Sequence, residues 1–307
     1  RSALARTPAL APEVPELPFH GGLVGAAGYD VVRYFERLER EPGTAVPEGT
    51  WVAPESLLVF DHLSRRAALL HAGPESERQA LRREVIRALS GGVPFMPSGD
   101  FSEPVPSMSL SAFLADGAEA KENIAAGDVS QLVLSIAFSG QTRLPPFLVY
   151  RALRLLNPSP YMYFLDLDGL AVAGSSPEAL VRLNGRDASL RPIAGTRPRG
   201  RNDAADQRHE QELLDDPKEA AEHVMLVDLA RNDLGRVGVP GTIRVNPSRS
   251  IDRYSHVMHL VSGVTGKLEA GRDAFDLFAA AFPSGTLVGA PKVRAMELID
   301  AYEPCAG

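Results

Sequence analysis

The sequence predicts an α+β fold with mainly antiparallel sheets flanked by helices. Three observations point there. Strand-like runs cluster after residue 130, with helices interspersed and no strict strand–helix–strand alternation, which argues against a doubly wound parallel sheet. The 307 residues are 44% hydrophobic and 23% charged, the composition of an ordinary globular protein. The chain has no run of about 18 apolar residues, so no transmembrane helix is expected.

The elements follow in order. Residues 1–18, rich in Ala and Pro, read as a tail or cut edge, because a signal peptide needs a longer apolar stretch and a small-residue cleavage site. The glycines between Gly21 and Asp30 lack the G-x-G-x-x-G spacing of a nucleotide loop and read as close strand packing before a helix over Asp30–Arg37. Ser56–Asp61 and Arg66–His71 read as paired strands, and Glu75–Leu89 has helical period. A Pro/Gly/Ser-rich linker at 90–107 divides an N-terminal sheet-and-helix region, 1–100, from a second region, 101–307.

Beyond the linker, Ser109–Ala126 is helical and stops at Gly127. Strand-like runs follow at Gln131–Phe138, Tyr161–Leu167, Leu170–Ser175, Ala179–Leu183 and Ser189–Ala194, interrupted by a helix at Pro146–Leu156. A long helix, Pro217–Ala230, precedes strands at Gly241–Val245 and His256–Val264 and helices at Ala274–Phe282 and Pro291–Tyr302. Its body, Val224–Ala230, is apolar nearly all round and is expected to be buried, with Gly235 as the closing residue.

Charge narrows the function classes. The net charge of −7, with no basic stripe, argues against a duplex nucleic-acid binder. The single cysteine, Cys305, cannot form an internal disulfide and gives no reason to place the chain outside the cytoplasm. Only four of the 32 basic residues are lysines, Lys121, Lys218, Lys267 and Lys292, so any lysine-dependent chemistry must use one of them.

Several residues are candidates for chemistry. Asp216, Pro217 and Glu219 have the spacing of a helix-opening capping box, and Glu222 lies one turn on. Glu219 and Glu222 together can hold a hard divalent cation. His256 and His259 differ by three, so on a strand only one of them faces a given site. Glu178 sits at a strand corner, where burial would raise its pKa and suit it to general-acid work. Gly195-Thr196 and Gly285-Thr286 are two Gly-Thr loops, and the second leads into a helix with Pro at its start, whose amides and Thr286 are able to hold an anion. No G-x-S-x-G, P-loop or C-x-x-C motif occurs.

In this order the segments resemble the chorismate-utilising enzymes, and within them the large subunits (component I) of anthranilate synthases. The matching text is Gly21–Gly25 with Gly28–Asp30, Gly127–Val129 with Gln131, Asn157–Met162, Gly174–Glu178, Pro192–Arg197, Asp216–Glu219 with Glu222-His223, Asp228–Asp233, His259–Ser262 and Gly285-Thr286 with Gly289–Lys292. It spans roughly residues 20–303. The resemblance implies the family's fold and an Mg²⁺-dependent lyase of the cytoplasm, acting in tryptophan biosynthesis. It would convert chorismate and ammonia to anthranilate and pyruvate, with ammonia from a glutamine amidotransferase subunit. Position by position, it implies Glu222 as metal ligand with Glu219 as ligand or support, Glu178 as the acid at the departing C4 hydroxyl, and His259 as the group assisting pyruvate loss. Gly195, Thr196 and Thr286 would bind substrate.

Two further positions separate members of the family. Isochorismate and salicylate synthases carry a lysine base where this chain has Gln131, which places Gln131 in the catalytic site. Aminodeoxychorismate synthases typically carry a nucleophilic lysine where it has Ala194. Ammonia attacking C2 directly needs neither. Pro160, Tyr161 and Met162 match part of the family's tryptophan feedback site, whose Leu-Leu-Glu-Ser portion is not found here. Val288 stands where the family has Ser or Thr, and the run after Gln131 lacks its basic residues. The family's later motifs, with a substrate-binding Arg and another metal-binding Glu, would follow Gly307, so the chain is expected to be cut at its start and incomplete at its end. Aminodeoxyisochorismate or aminodeoxychorismate synthesis, and a non-catalytic chorismate-binding relic, stay open as alternatives.

Overall fold

The computed structural model describes residues 1–8, 17, 19, 21–38, 46–93 and 96–303. Cys305, half of the 1–18 tail and residues 94–95 of the expected linker lie outside them.

Helices and antiparallel sheets make up the described residues, and every strand pairing within them is antiparallel. Local signals placed several elements closely. Ser56–Asp61 pairs with Arg66–His71, and the helix Glu75–Ser90 packs on the second of these strands. The helix Leu110–Ala126 has Ser109 as its N-cap, accepting from the Ala112 amide at 3.2 Å, and Gly127 beyond its last turn. In the glycine-rich segment near the start, Val24–Ala27 pairs with Gly49–Val52. A Cβ on Gly25 would come within 2.1 Å of the Thr50 carbonyl oxygen, so close strand packing is what this glycine serves. The helix expected over Asp30–Arg37 is a 3-10 helix, Tyr29–Tyr34.

Two sheets carry the centre of the fold. One runs Arg182–Asn184, Asp187–Leu190, Val264–Lys267, Arg244–Val245; the other runs Ile193–Pro198, Val257–Val261, Ser250–Arg253. Two long runs expected as single strands are therefore divided between the sheets. Ser189–Ala194 breaks at Arg191-Pro192, because Pro192 has no N–H for a ladder. His256–Val264 breaks at Ser262-Gly263, where a Cβ on Gly263 would meet the Asn246 carbonyl oxygen at 2.5 Å. The run expected at Gln131–Phe138 keeps only its ends, Gln131–Leu132 and Phe138–Ser139. Between them the Ser135 amide donates to the Glu303 carboxylate at 2.6 Å instead of to a neighbouring strand.

The helix Pro217–Gly235 lies against strands of both sheets, Ile193–Pro198 and Val264–Lys267. It runs five residues past its expected end, and Gly235 is helical, with Arg236 as C-cap. It is not buried all round. His223, Leu226, Ala230, Asp233 and Leu234 form its inner face, while Val224, Asp228 and Arg231 are exposed. Leu234 joins Leu190, Val264, Leu268 and Leu277 in the main core. Each fully buried Leu there contributes about 1.5–3 kcal/mol. A helix that the sequence reading missed, Asp203–Asp215, precedes it. Its composition is polar nearly throughout and it buries only Leu213, so hydrophobic period was silent; its signal was the Asn202 cap, which accepts from the Ala205 amide at 2.9 Å.

The N-terminal segment packs back on the end of the described chain. Val32 is buried with Val288, Met296 and Ile299, and Arg33 grips Asp300 through its two terminal guanidinium nitrogens at 2.7 and 2.8 Å.

Candidate functional site

Gly195 is the pivot of the first cluster. It sits at φ +65°, and the register of Ile193–Pro198 on Val257–Val261 shifts between Ala194 and Thr196. In an unbroken strand, residues 194 and 196 would share a face. The bulge separates them. Ala194 stays buried opposite Leu260, while Thr196 pairs with His259, its Oγ1 2.9 Å from Nδ1. Burial lowers the His259 pKa, with the Gly195 backbone and Asp252 pulling the other way, so the ring is neutral near pH 7. Tyr254 meets His259 edge-on, with centroids 5.6 Å apart. His256 is exposed beside Ser255, so His259 alone faces the cluster.

The first turn of the helix Pro217–Gly235 borders the same spot. Asp216 caps it, accepting from the amides of Lys218 at 2.9 Å and Glu219 at 3.2 Å. The expected reciprocal half of the capping box does not form. The Glu219 carboxylate turns to Arg197 at 3.1 Å, and Arg197 also reaches Asp216 at 3.0 Å. A Cβ on Gly195 would lie 2.6 Å from Leu213 Cδ1 and 3.0 Å from Glu219 Oε2, and the positive φ itself favours glycine here. The carboxylate of Glu222, half-buried one turn on, makes no hydrogen bond or ion pair among the described residues. The adjacent His223 is buried, with Nε2 2.6 Å from Ser262 Oγ, and burial, with Arg249 nearby, lowers its pKa.

Glu178 occupies the second cluster. It follows Ser176, whose hydroxyl donates to the Glu178 carbonyl at 2.9 Å. Burial alone pushes its carboxyl up to about 7. It lines two cavities. A small one is shared with Leu229, Asp233, Ser284, Gly285 and Thr286. A larger one, about 230 Å³, is shared with Pro160, Tyr161, Arg182, Arg191, Asp252 and Tyr254. The structure thus brings Thr286 to Glu178 on one side and Pro160 and Tyr161 to it on the other, while Tyr254 links the larger cavity to His259.

Two predicted positions stand apart. Met162 lies on the strand Tyr161–Asp166 but lines neither cavity, as alternation beside Tyr161 requires. Gln131 pairs with Ala290 and also lines neither; its Oε1 is buried without a partner.

Glu219 and Glu222 are the carboxylates suited to a hard cation such as Mg²⁺. The donor chemistry fits, and among the described residues the Glu222 carboxylate has no competing partner. Among the described residues, no group of three His, Cys, Asp or Glu side chains is placed to hold a metal. No helix among them is long and apolar enough to cross a membrane.

The chain matches known proteins along its whole length. The sequence pattern of the chorismate binding enzymes covers residues 1–306. Anthranilate synthase component 1 of Streptomyces coelicolor is 47% identical over 99% of this chain and 63% of its own length. That of Thermus thermophilus is 46% identical over 95% of this chain and 64% of its own. The chain therefore spans less than two thirds of these relatives. Among solved structures, anthranilate synthase component I of Streptococcus pneumoniae superposes with a TM-score of 0.83 at 33% identity, covering 96% of this chain and 68% of that one. The menaquinone-specific isochorismate synthase of Escherichia coli, at 22% identity and a TM-score of 0.67, shares the fold.

Proposed function

The chain belongs to the chorismate binding enzyme family, and on that premise we propose that it is the chorismate-handling part of an anthranilate synthase large subunit. It acts in the cytoplasm as a lyase, making anthranilate and pyruvate from chorismate and ammonia. Its 42–47% identity to proteins named anthranilate synthase component 1 supports this product over others in the family. Gln131 and Ala194 support it too, because neither position offers a lysine for water activation or covalent attack.

The observation that carries the chemistry is Glu178, a carboxyl held protonated near neutrality by burial on a cavity wall. Ammonia bonds to C2, the ring double bonds shift, and the C4–oxygen bond breaks. Hydroxide is a poor leaving group, and the Glu178 proton lets it depart as water. His259, neutral and fixed by Thr196, then accepts the C2 proton as the enolpyruvyl group leaves and the ring becomes aromatic. Thr196, Thr286 and the Gly195 backbone orient the substrate. Glu222, with Glu219 in support, would hold Mg²⁺, which when bound neutralises a substrate carboxylate.

The component 1 name of its relatives supports a partner, a glutaminase subunit that supplies ammonia. The 230 Å³ cavity, lined by Tyr161, Tyr254 and Arg182, suits an aromatic amino acid, and tryptophan is the proposed feedback ligand. Assay of the complete protein with chorismate, Mg²⁺ and ammonium is expected to yield fluorescent anthranilate. Isochorismate, aminodeoxychorismate or aminodeoxyisochorismate as the main product would overturn the reading.

A further inference from the structure

Lys292 opens the helix Lys292–Tyr302, but its side chain turns back into the protein. Its Nζ lies 2.8 Å from Asp233 Oδ1, and the two side chains are only 12% and 5% exposed. The same nitrogen donates to the carbonyl oxygens of Pro283 at 3.1 Å and Ala281 at 3.2 Å, with that of Ala280 at 3.5 Å. An ammonium has three protons to give, and these acceptors use all of them. Ala280 and Ala281 end the helix Ala274–Ala281, whose last carbonyls favour a cation. Pro283 begins the turn that carries Thr286, and Asp233 is on the inner face of Pro217–Gly235. One cation therefore ties three pieces of chain together.

That tie borders the site. Asp233, Ser284, Gly285 and Thr286 line the small cavity with Glu178. Ser284 Oγ and Thr286 Oγ1 lie 2.6 Å apart, so the turn is internally braced as well.

We propose that Asp233 and Lys292 are positioning residues: their buried pair clamps the turn 283–286 so that Thr286 faces Glu178 across the cavity. Lys292 has no proton to spare for substrate and acts through Thr286. The kinetic part of this inference rests on the reading of Thr286 as a substrate-binding residue; the clamp itself does not.

The test uses the complete protein. Asp233→Asn/Lys292→Met removes both charges, which avoids stranding one of them in the interior, and Lys292→Arg keeps the charge but not the compact ammonium. Hydrogen exchange at the amides of residues 285–288 is expected to quicken about tenfold in the double variant, with the middle of the helix Pro217–Gly235 unchanged. Unchanged exchange at 285–288 would overturn the clamp whatever the substrate proves to be. With chorismate, the double variant is expected to raise KM about tenfold and leave kcat within about twofold, the sign of lost uniform binding. Added to Thr286→Val, it should raise KM no further, because both changes remove one interaction. Multiplying effects, or an unchanged KM in a folded variant, would overturn the positioning role. Should the double variant fail to fold, Lys292→Arg is expected to shift KM in the same direction, and an unchanged KM there would overturn it equally. Wild-type protein that makes no anthranilate would sink the functional reading alone, since exchange still decides the clamp.

Discussion

The two ends of the helix Pro217–Gly235 both carry acidic side chains beside the site, in opposite states. At its start, Glu219 is paired with Arg197, and the half-buried Glu222 carboxylate has no partner among the described residues. Near its end, Asp233 is buried against Lys292, whose remaining protons go to backbone carbonyls. A carboxylate with spare capacity is free to meet a ligand; one whose bonding is complete belongs to the scaffold. The difference turns on geometry, since all three are acids on one helix.

Six substitutions can break or sharpen this contrast. Glu222→Gln is expected to abolish Mg²⁺-dependent turnover with unchanged circular dichroism, because a neutral amide is a poor ligand for a hard cation. Retained activity would return Glu222 to the surface acids. Glu178→Gln, at the cavity that adjoins Asp233, should lower kcat by roughly 10²–10⁴-fold. In the wild type, kcat/KM should fall as pH rises above about 7, where Glu178 gives up its proton, and the variant should lose that limb.

The sign for stability follows from the same shift. The folded pKa stands above the unfolded value, so the protonated carboxyl's contribution is complete at low pH. It is lost as pH rises from about 4.5 through 7, a change of about 3 kcal/mol. Denaturant unfolding at pH 5 and pH 8 should show that loss in the wild type and not in Glu178→Gln.

Next in size, Asp233→Ala leaves a buried ammonium without its carboxylate and should destabilise the fold by about 3–5 kcal/mol in thermal unfolding. Glu219→Ala, at the opposite and less buried end, serves as its counterpart and should cost far less. Gly195→Ala puts a side chain at positive φ and against Glu219, and should cost about 1–2 kcal/mol while raising KM for chorismate. Smallest, Val224→Ser lies on the outer face of the helix and should change stability by less than about 0.5 kcal/mol. A larger loss would mean that this face is covered.

Much of this was legible from sequence where the cause is local. Ser109 and Asp216 cap their helices because a short oxygen side chain reaches the amides two and three residues on. The pair Ser56–Asp61 and Arg66–His71 shows in its β-favouring side chains and short turn. The motif series placed Glu178, Thr196, Glu219, Glu222, His259 and Thr286 in one site, and the fold brings Thr196 to His259 and Thr286 to Glu178. Lys292 read as part of a helix-start motif and Asp233 as part of a closing turn, because nothing in the spacing of residues 59 apart announces an ion pair. Gln131 read as a site position, yet its side chain lines neither cavity.

The sequence by itself determined the α+β class, the family and the caps at Ser109 and Asp216, since these follow from side-chain chemistry and short-range spacing. Tertiary structure alone decided which acids are spent and which are free. The bulge at Gly195 turns Thr196 toward His259, burial keeps a proton on Glu178 near pH 7, and Lys292 occupies Asp233. Each depends on what distant chain segments bring alongside: burial sets the cost of a charge, and a partner across the fold sets whether that cost is met.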